Sequence, residues 1–394
     1  MPKNVIFCAD GTWNGPSDQS GESVLDSDDI SGELQTNSIT NVVKLYANLA
    51  GQVTPQTARL KDEQEKVRLD TTGATTQVAK YLHGVGDSNN LATKLIGGMF
   101  GAGVIVRIVR GFTFISRNYE PGDAIYLVGF SRGAYTARAL AGMISRVGLL
   151  NPRVVDLSDK EAAYRAGMAA WYRSHSIAVA KTPIGGLSDL LTHLVNYCES
   201  WLGHRLPADA LLPDIPIKSV AVWDTVGSYG IPEYAKDKRV DLFRFCDLSL
   251  SPCVEYGFHA MAIDEMREDF PVTRWEPREN ILETWFIGAH ADVGGGYPEA
   301  ESRLSDIGCD WLTEQLQGVG VQFSKPAVYV PDGDQKQAIH KPWESPPFDL
   351  LGKASRAVKA SDSLHPTVKS RLSSDPSYRP QALSAWLEAR AGPG

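Results

Sequence analysis

The sequence has no excess of basic residues, and this absence argues against one large class of function. Its 394 residues include 39 Lys and Arg against 47 Asp and Glu, which gives a formal net charge of -8 at pH 7. Proteins that bind nucleic acids carry clustered positive charge that neutralises phosphates. We therefore expect no nucleic-acid partner. The other proportions, 43% hydrophobic and 22% charged residues, are those of an ordinary globular protein.

Cysteine is scarce, and its number and spacing argue against disulfide-stabilised and zinc-stabilised folds. There are five cysteines, with no CxxC pair among them. An odd, scattered set argues against a disulfide framework and against structural zinc. We expect buried free thiols, as in a reducing cytosol. The five are Cys8, Cys198, Cys246, Cys253 and Cys309.

Long apolar runs are also missing. No run reaches the ~18 residues that a spanning helix needs, and the apolar run before Asp10 is too short for a signal peptide. We therefore predict a cytoplasmic location. The nearest candidate, Leu95–Val106, is rich in glycine and is interpreted as a packed helix, with a substrate- or membrane-facing segment as the alternative. There is no internal repeat, and residues 1–394 are expected to form one domain.

The most informative stretch that is present is Ile125–Arg138. It opens as a short apolar run that is typical of a buried strand, turns through Gly129-Phe130-Ser131-Arg132-Gly133, and continues with apolar residues at helical spacing. A strand, a Gly-x-Ser-x-Gly turn and a helix form the nucleophile elbow of α/β-hydrolases. The turn also places the serine at a helix N-terminus, where backbone amides favour negative charge. Ser131 is therefore the predicted nucleophile.

Apolar strand-like runs alternate with helical patterns along the chain, which predicts an α/β fold with a mostly parallel sheet flanked by helices. Ligands of such sheets bind beyond the carboxyl ends of the strands. The runs at Asn4–Ala9, Ile125–Phe130, Ile217–Trp223 and Ile281–Ala289 should therefore bring the loops that follow them to one edge. Those loops carry Asp10-Gly11-Thr12, Ser131, Asp224 and His290.

Three other stretches have a less regular pattern. Residues 156–213 are predicted to form a helical insertion, either an active-site lid or an ordinary helical subdomain. His259–Asp264 is predicted to lie in a helix, with His259 satisfied in the core. Residues 320–394, rich in Pro, Ser and charge, are predicted to form an irregular C-terminal extension.

A serine nucleophile needs a base, and the base needs an orienting carboxylate. His290 is the first choice as base and Asp224 as acid, because the order Ser, Asp, His is the one expected of α/β-hydrolases. Asp292 competes with Asp224 as the acid, or else braces the Gly-rich turn at 294–296. His365 competes with His290, because it follows the region where a last strand would end.

An oxyanion hole in this fold pairs the amide after the nucleophile with one from an early strand's loop. The candidates are Arg132 and either Gly11 or Thr12. The Arg132 side chain is left with two interpretations, a carboxylate partner or a substrate phosphate. The chemistry of such a triad requires no cofactor. The Asp-rich loops could bind a divalent cation, but no residue spacing supports a metal site strongly.

These motifs together resemble a known family, the α/β-hydrolase catalytic domains of type VI secretion phospholipase effectors, first catalogued as a domain of unknown function. The resemblance covers the chain to about Tyr297. It is carried most specifically by the elbow and by Gly288-Ala289-His290-Ala291-Asp292-Val293-Gly294-Gly295-Gly296-Tyr297, and further by Asp10-Gly11-Thr12-Trp13-Asn14, Gly84-Val85-Gly86, Val222-Trp223-Asp224-Thr225-Val226-Gly227 and Ala262-Ile263-Asp264-Glu265.

The resemblance implies a serine hydrolase of ester bonds, with phospholipids as the substrate class and Ser131, Asp224 and His290 as the triad. It also implies contact with a membrane surface, export by type VI secretion, and a secretion-apparatus or immunity protein as partner. Two alternatives remain. One is a carboxylesterase of small esters, and the other is a catalytically silent binding module with the same fold.

Overall fold

A nine-stranded sheet forms the centre of the protein, for which a computed structural model describes residues 2–11, 39–57, 63–84, 100–180, 206–207, 209–226, 249–346, 348–350 and 352–391. In chain order the strands of this sheet are β1 (Asn4–Ala9), β2 (Gln52–Val53), β3 (Glu63–Leu69), β4 (Thr75–Leu82), β5 (Ala124–Phe130), β8 (Ile217–Trp223), β9 (Val254–Ala262), β10 (Ile281–Phe286) and β11 (Ser363–Leu364). Two further strands, β6 (Leu149–Leu150) and β7 (Leu211–Leu212), form a separate antiparallel pair.

The order across the sheet is β11-β10-β9-β8-β5-β1-β4-β3-β2. The seven strands from β11 to β4 are parallel, and β3 and β2 complete one edge in antiparallel pairing. Most of the central strand residues are buried on both faces, which explains why their sequences are nearly continuous apolar runs. The prediction of a mostly parallel α/β fold is confirmed.

Helices cover both faces of the sheet. Phe7 and Leu127 pack on one face against α2 (Phe100–Asn118), α3 (Arg132–Val147) and α4 (Lys160–Ala180). Ile6 and Val128, the neighbours of those residues, point to the opposite face, as the two-residue period of a strand requires. That face is covered by α1 (Asn41–Asn48) and α6 (Arg303–Gly318). The other α-helices of the described ranges are α5 (His290–Gly294), α7 (Pro366–Ser374) and α8 (Ser384–Ala391).

The predicted helix at His259–Asp264 is wrong. Residues Val254–Ala262 form β9, a central strand with β8 on one side and β10 on the other. A short apolar run has no periodicity that separates a buried strand from a buried helix. His259 is satisfied in the core as expected, since Nδ1 lies 3.1 Å from Oε1 of Glu283 and Nε2 accepts the Thr225 amide at 3.1 Å.

The described part of the insertion at 156–213 is mainly α4. This helix packs Ala163, Ala170 and Trp171 into the same apolar cluster as α2 and α3. Residues 181–205 and 208 lie outside the described residues. A lid in this insertion therefore stays a prediction, while α4 itself is part of the core.

The prediction of an irregular extension over 320–394 is wrong for residues 363–391. Residues 363–391 supply β11 at the sheet edge and the helices α7 and α8. Leu364, Val368 and Trp386 are buried in a third apolar cluster together with Trp285 of β10. The strand is only two residues long and the helices are short, so their periodic patterns are weak and were missed.

Within the described ranges no helix is long and apolar enough to cross a membrane. The candidate at Leu95–Val106 is described from Phe100 onward, where it begins α2 and where Val104 and Ile105 pack against the core. Cys8 and Cys309 are buried free thiols and Cys253 is a half-buried one, whereas Cys198 and Cys246 lie outside the described residues.

Candidate active site

Ser131 lies at the junction of β5 and α3, in a backbone conformation that residues other than glycine rarely adopt. Its φ is 57° and its ψ is -120°. The turn is tight, because a Cβ at Gly129 would lie 2.4 Å from the Gly133 carbonyl oxygen and one at Gly133 would lie 2.1 Å from the Ala9 oxygen. Both distances are shorter than any real contact, so only glycine fits at these two positions. Strain of this kind is found where a side chain is held for function.

Asp224 follows the neighbouring strand, β8, at the same edge. Trp223, its predecessor, pairs with Phe130, and the Ser131 amide donates to the Trp223 carbonyl at 3.1 Å. Asp224 is fully buried and also has a positive φ, 36°. Its Oδ1 accepts the Ala262 amide at 2.9 Å, which ties it to the end of β9. The register of β5 and β8 thus places Ser131 and Asp224 at the ends of neighbouring strands.

His290 is the first residue of α5, which begins shortly after β10. Its Nδ1 donates to Oδ2 of Asp224 at 2.6 Å, because an ionised carboxylate can only accept. Its backbone amide donates to Oε2 of Glu265 at 3.2 Å. The imidazole centroid lies 4.6 Å from that of Phe130, the residue that precedes Ser131. The structure therefore brings Asp224 and His290 into contact, next to the elbow.

The electrostatics of the pair favour an ionised Asp224 and a neutral His290. Burial opposes the charge on Asp224, but the guanidinium of Arg356 and the hydrogen bond from His290 outweigh it and hold the Asp224 pKa well below its ordinary value. Burial lowers the pKa of His290, and Asp224 offsets part of that effect. A neutral imidazole with Nδ1 protonated leaves Nε2 free to accept a proton.

Asp292, the alternative acid, has other partners. Its Oδ2 accepts the Ala289 amide at 2.9 Å, and its Oδ1 lies 2.6 Å from Nδ1 of His340. The His340 ring stacks on Tyr297 with centroids 3.6 Å apart. Asp292 thus braces the segment that carries His290, which is the structural role that the sequence left open.

His365, the alternative base, follows β11 at the edge of the sheet. Three strands, β10, β9 and β8, separate β11 from β5 and Ser131. Its Nδ1 contacts the Thr367 hydroxyl at 2.8 Å, where it caps α7, and its ring stacks on Phe286. Burial lowers its pKa to about 4. The structure therefore gives His365 a capping role and does not bring it to Ser131.

The predicted oxyanion donors lie on two elements. Arg132 is the first residue of α3. A Cβ at Gly11 would lie 3.4 Å from the Cβ of Ser131, so Gly11 lies directly beside the serine. The Gly11 amide itself donates to Oδ1 of Asp10 at 2.6 Å. Thr12 lies outside the described residues. Arg132 and Thr12 are thus left as the stronger candidates.

Two charged groups were missed as parts of the site. Glu265, which receives the His290 amide, is held by Arg267 through two side-chain bonds of 2.8 Å. Arg356 contacts both carboxylate oxygens of Asp224. Glu265 stands in the quoted Ala262–Glu265 segment, so it could have been suspected. Arg356 lies in a stretch without any motif, and no sequence signal pointed to it.

In the part of the chain that the structure describes, no group of three or more His, Cys, Asp or Glu is placed to hold a metal ion.

A parallel sheet with a strained serine turn at its carboxyl edge, and an Asp–His pair beside that turn, defines an α/β-hydrolase-like protein. Comparison with known families agrees. Residues 3–315 match the family described as "T6SS, Phospholipase effector Tle1-like, catalytic domain", and the chain belongs to this family. The resemblance drawn from the motifs is thereby confirmed.

Individual relatives are distant. The chain is 22% identical over 425 aligned residues to the uncharacterized protein YEL023C of Saccharomyces cerevisiae, with 83% of this chain and 58% of that protein covered. A structure of the Tle1 effector bound to the VgrG spike of the type 6 secretion system has 18% identity and a TM-score of 0.36, covering 77% of this chain and 53% of that one.

A crystal structure of an uncharacterized protein from Pseudomonas aeruginosa has 16% identity and a TM-score of 0.37, covering 82% of this chain and 47% of that one. The chain therefore spans only about half the length of these relatives.

Proposed function

We propose that the protein is a serine hydrolase that cleaves carboxylic ester bonds of phospholipids. The observation that carries the proposal is the 2.6 Å contact between Nδ1 of His290 and Asp224 beside Ser131 in its strained turn. Membership of a phospholipase effector family supports the substrate class.

In the proposed reaction the Ser131 hydroxyl attacks the ester carbonyl carbon while Nε2 of His290 takes its proton. Asp224 holds the imidazole in the required tautomer and stabilises the imidazolium that forms. The leaving alcohol receives the proton from His290, and an acyl-enzyme remains. Water, deprotonated by the same histidine, then releases the fatty acid and restores the serine.

The tetrahedral intermediate carries a negative oxygen that needs donors in place before the reaction. We propose the Arg132 amide as one donor, since the residue after the nucleophile supplies it in this fold. The Thr12 amide is proposed as the second donor in preference to that of Gly11, because the Gly11 amide is engaged by Asp10. Loss of one such donor costs about 3 kcal/mol of transition-state stabilisation.

The decisive experiment compares the lipid products of the wild type with those of Ser131→Ala. The wild type should release fatty acid and lysophospholipid from phospholipid vesicles, and the variant should be slower by about 10⁴-fold or more. A fluorophosphonate probe should label only the wild type. Absence of both labelling and turnover, under conditions in which a control esterase reacts, would leave a silent binding module as the better description.

A chain-length series separates the phospholipase from a carboxylesterase of small esters. If p-nitrophenyl acetate and butyrate are hydrolysed while long-chain esters and phospholipids are not, the phospholipid substrate is wrong although the serine chemistry stands. The acid and base are tested by Asp224→Asn and His290→Ala beside Asp292→Asn and His365→Ala. Activity that survives the first two changes and disappears with the last two would overturn the assignment.

We also infer export by type VI secretion, with a protein of that apparatus as a partner, because the family is one of type VI effectors. Recovery of the protein from the medium of secretion-competent cells, and not of cells that lack the apparatus, tests this inference. Equal amounts in both media would contradict it. An immunity protein remains a prediction from the resemblance.

A further inference from the structure

Arg356 contacts the proposed catalytic acid more extensively than any other described side chain does. Its Nη1 lies 2.5 Å from Oδ1 of Asp224 and its Nη2 lies 2.9 Å from Oδ2. This is the two-pronged geometry in which a guanidinium fixes the orientation of a carboxylate. Arg356 and Asp224 are both buried, with 8% and 0% of their surfaces exposed, so the pair is shielded from water.

The same guanidinium joins three parts of the site. Nη1 also donates to the Ala262 carbonyl at the end of β9, at 2.8 Å, and Nη2 donates to the Phe270 carbonyl at 2.9 Å. The Phe270 ring meets the His290 imidazole edge-on, with centroids 5.4 Å apart. Arg356 therefore fixes the acid and also the backbone of a loop that packs on the base.

Backbone hydrogen bonds and apolar packing anchor the segment that carries Arg356. The Ala354 amide donates to the Met266 carbonyl at 2.9 Å and the Val358 amide to the Ala382 carbonyl at 3.0 Å. Val358 is buried in the third apolar cluster with Trp285. Arg356 and the two amides that anchor its segment, those of Ala354 and Val358, lie beyond residue 315, where the match to the family's catalytic domain ends.

We propose that Arg356 is a positioning residue for the ester hydrolysis. It locks the Asp224 carboxylate in the orientation that meets Nδ1 of His290. The C-terminal segment, which is the chain beyond residue 315, thereby becomes part of the catalytic apparatus. The inference rests on the proposed function. Arg356 contacts Asp224 and two backbone carbonyls, so it acts through the acid and takes no part in the proton transfers.

The charges around His290 determine in which direction its pKa should change when Arg356 is removed. Burial is the largest cause of the lowered His290 pKa, and Arg267 lowers it further, whereas Asp224 after β8 and Glu265 after β9 favour the protonated form. Arg356 neutralises Asp224 through both carboxylate oxygens, and His290 contacts one of these two, Oδ2. Without that cation the uncompensated carboxylate attracts a proton on His290 more strongly, so the His290 pKa should rise.

The experiment measures kcat, KM and the pH profile of kcat/KM for purified full-length wild type, Arg356→Met, Arg356→Lys and Arg371→Met. Arg371 is the matched control, because it is buried to the same degree and donates to the Gln335 and Gln337 carbonyls without touching Asp224 or His290. Arg356→Gln replaces the Met variant if that variant does not fold.

We expect Arg356→Met to lower kcat by roughly 10- to 100-fold with little change in KM, since a misplaced catalytic group costs this much. The acid limb of its profile should move to higher pH. Arg356→Lys should recover part of both changes, and Arg371→Met should leave both as in the wild type. A folded Arg356→Met with the wild-type kcat, or with an acid limb at or below the wild-type position, would overturn the inference.

Failure of the proposed function is recognised separately. If the wild type hydrolyses no ester, the hydrolase proposal fails, and an NMR titration of the His290 ring in the same variants still tests the arginine without a substrate. The ring should titrate at a higher pH in Arg356→Met than in the wild type and in Arg371→Met. An unchanged titration would overturn the positioning role.

Discussion

Two buried aspartates at the carboxyl edge of the sheet differ in charge because their partners differ. Asp224 has a guanidinium and an imidazole as partners, and its pKa is held well below the ordinary value in spite of burial. Asp10 follows β1, and its carboxylate receives the Tyr81 and Thr40 hydroxyls and the Gly11 amide. Burial outweighs these bonds and raises the Asp10 pKa from 3.8 to about 7. These hydrogen bonds and the positive charge of Arg107 lower the Asp10 pKa, but they do not outweigh the effect of burial.

The raised pKa of Asp10 predicts a loss of stability with increasing pH. The folded protein binds a proton at Asp10 that the unfolded chain has released, so this contribution is complete below 3.8 and is lost as pH rises through about 7. Asp10→Asn lacks this dependence. In urea unfolding at about pH 5 and about pH 8, the wild type should lose stability relative to Asp10→Asn at the higher pH. A constant difference would show that Asp10 does not titrate in this range.

Two histidines should titrate with opposite effects on stability. The hydrogen bond to Asp292 raises the pKa of His340, so its contribution is present below the unfolded value of 6.5 and is lost as pH rises through the raised value. Burial lowers the pKa of His365 to about 4, so its neutral form contributes above 6.5 and that contribution is lost as pH falls toward 4.

His340→Gln and His365→Gln therefore serve as controls for each other. The free energy of unfolding is measured in urea between about pH 5 and about pH 8. As pH falls, the wild type should become more stable relative to His340→Gln and less stable relative to His365→Gln. If both differences change in the same direction, the assigned environments of the two rings are incorrect.

At the scale of elements, the site depends on how closely α3 approaches β1 and β5. Gly133, in the first turn of α3, leaves no room for a Cβ, because this atom would lie 2.1 Å from the Ala9 oxygen. The close approach places the helix N-terminus against the strand ends. An added methyl group must push α3 outward and carry Ser131 with it.

Gly133→Ala should therefore destabilise the protein by about 1–3 kcal/mol or more and abolish labelling of Ser131. Gly142→Ala in the same helix is the control, since its Cβ would lie 3.1 Å from Nη1 of Arg146, the movable end of a side chain. This control should be neutral or gain up to about 1 kcal/mol of helix propensity. Comparable losses in the two variants, by thermal unfolding and probe labelling, would contradict the explanation.

At the scale of the whole molecule, the C-terminal segment completes both the sheet and the site. It supplies β11, the helices that cover Trp285, and Arg356 behind Asp224. Trp386 of α8 is 6% exposed and donates through Nε1 to the Asp362 carbonyl at 3.2 Å. Packing at the edge of the sheet is thus connected to the acid of the proposed triad by one continuous stretch of chain.

Trp386→Ala should cost about 3–5 kcal/mol of unfolding free energy, because it empties a large buried volume. Val330→Ala is the control, since 66% of Val330 is exposed and its loss should change stability by less than about 0.5 kcal/mol. Urea unfolding midpoints measure both. Equal midpoints for the two variants would mean that the C-terminal helices add no stability to the core.

The sequence by itself determined the parallel sheet, the elbow and the position of Ser131 in its turn. Strands buried on both faces must be continuously apolar, and a tight turn beneath a helix must carry glycine at Gly129 and Gly133. Both requirements produce patterns within short stretches of the sequence, so they can be recognised without the structure. The predicted order of serine, acid and base came from the same kind of pattern, and it also left Asp292 and His365 open as alternatives.

Only the tertiary structure decided which charged groups meet. Three strands lie between β5 and β11, the strand that His365 follows, and the fold pairs Asp292 with His340; neither fact leaves a trace in local spacing. Arg356 reaches Asp224 across 132 positions of the chain. A long-range ion pair needs only one suitable side chain at the right place in space, so no periodicity or motif surrounds it. For this reason the acid's strongest partner could be found only in the folded protein.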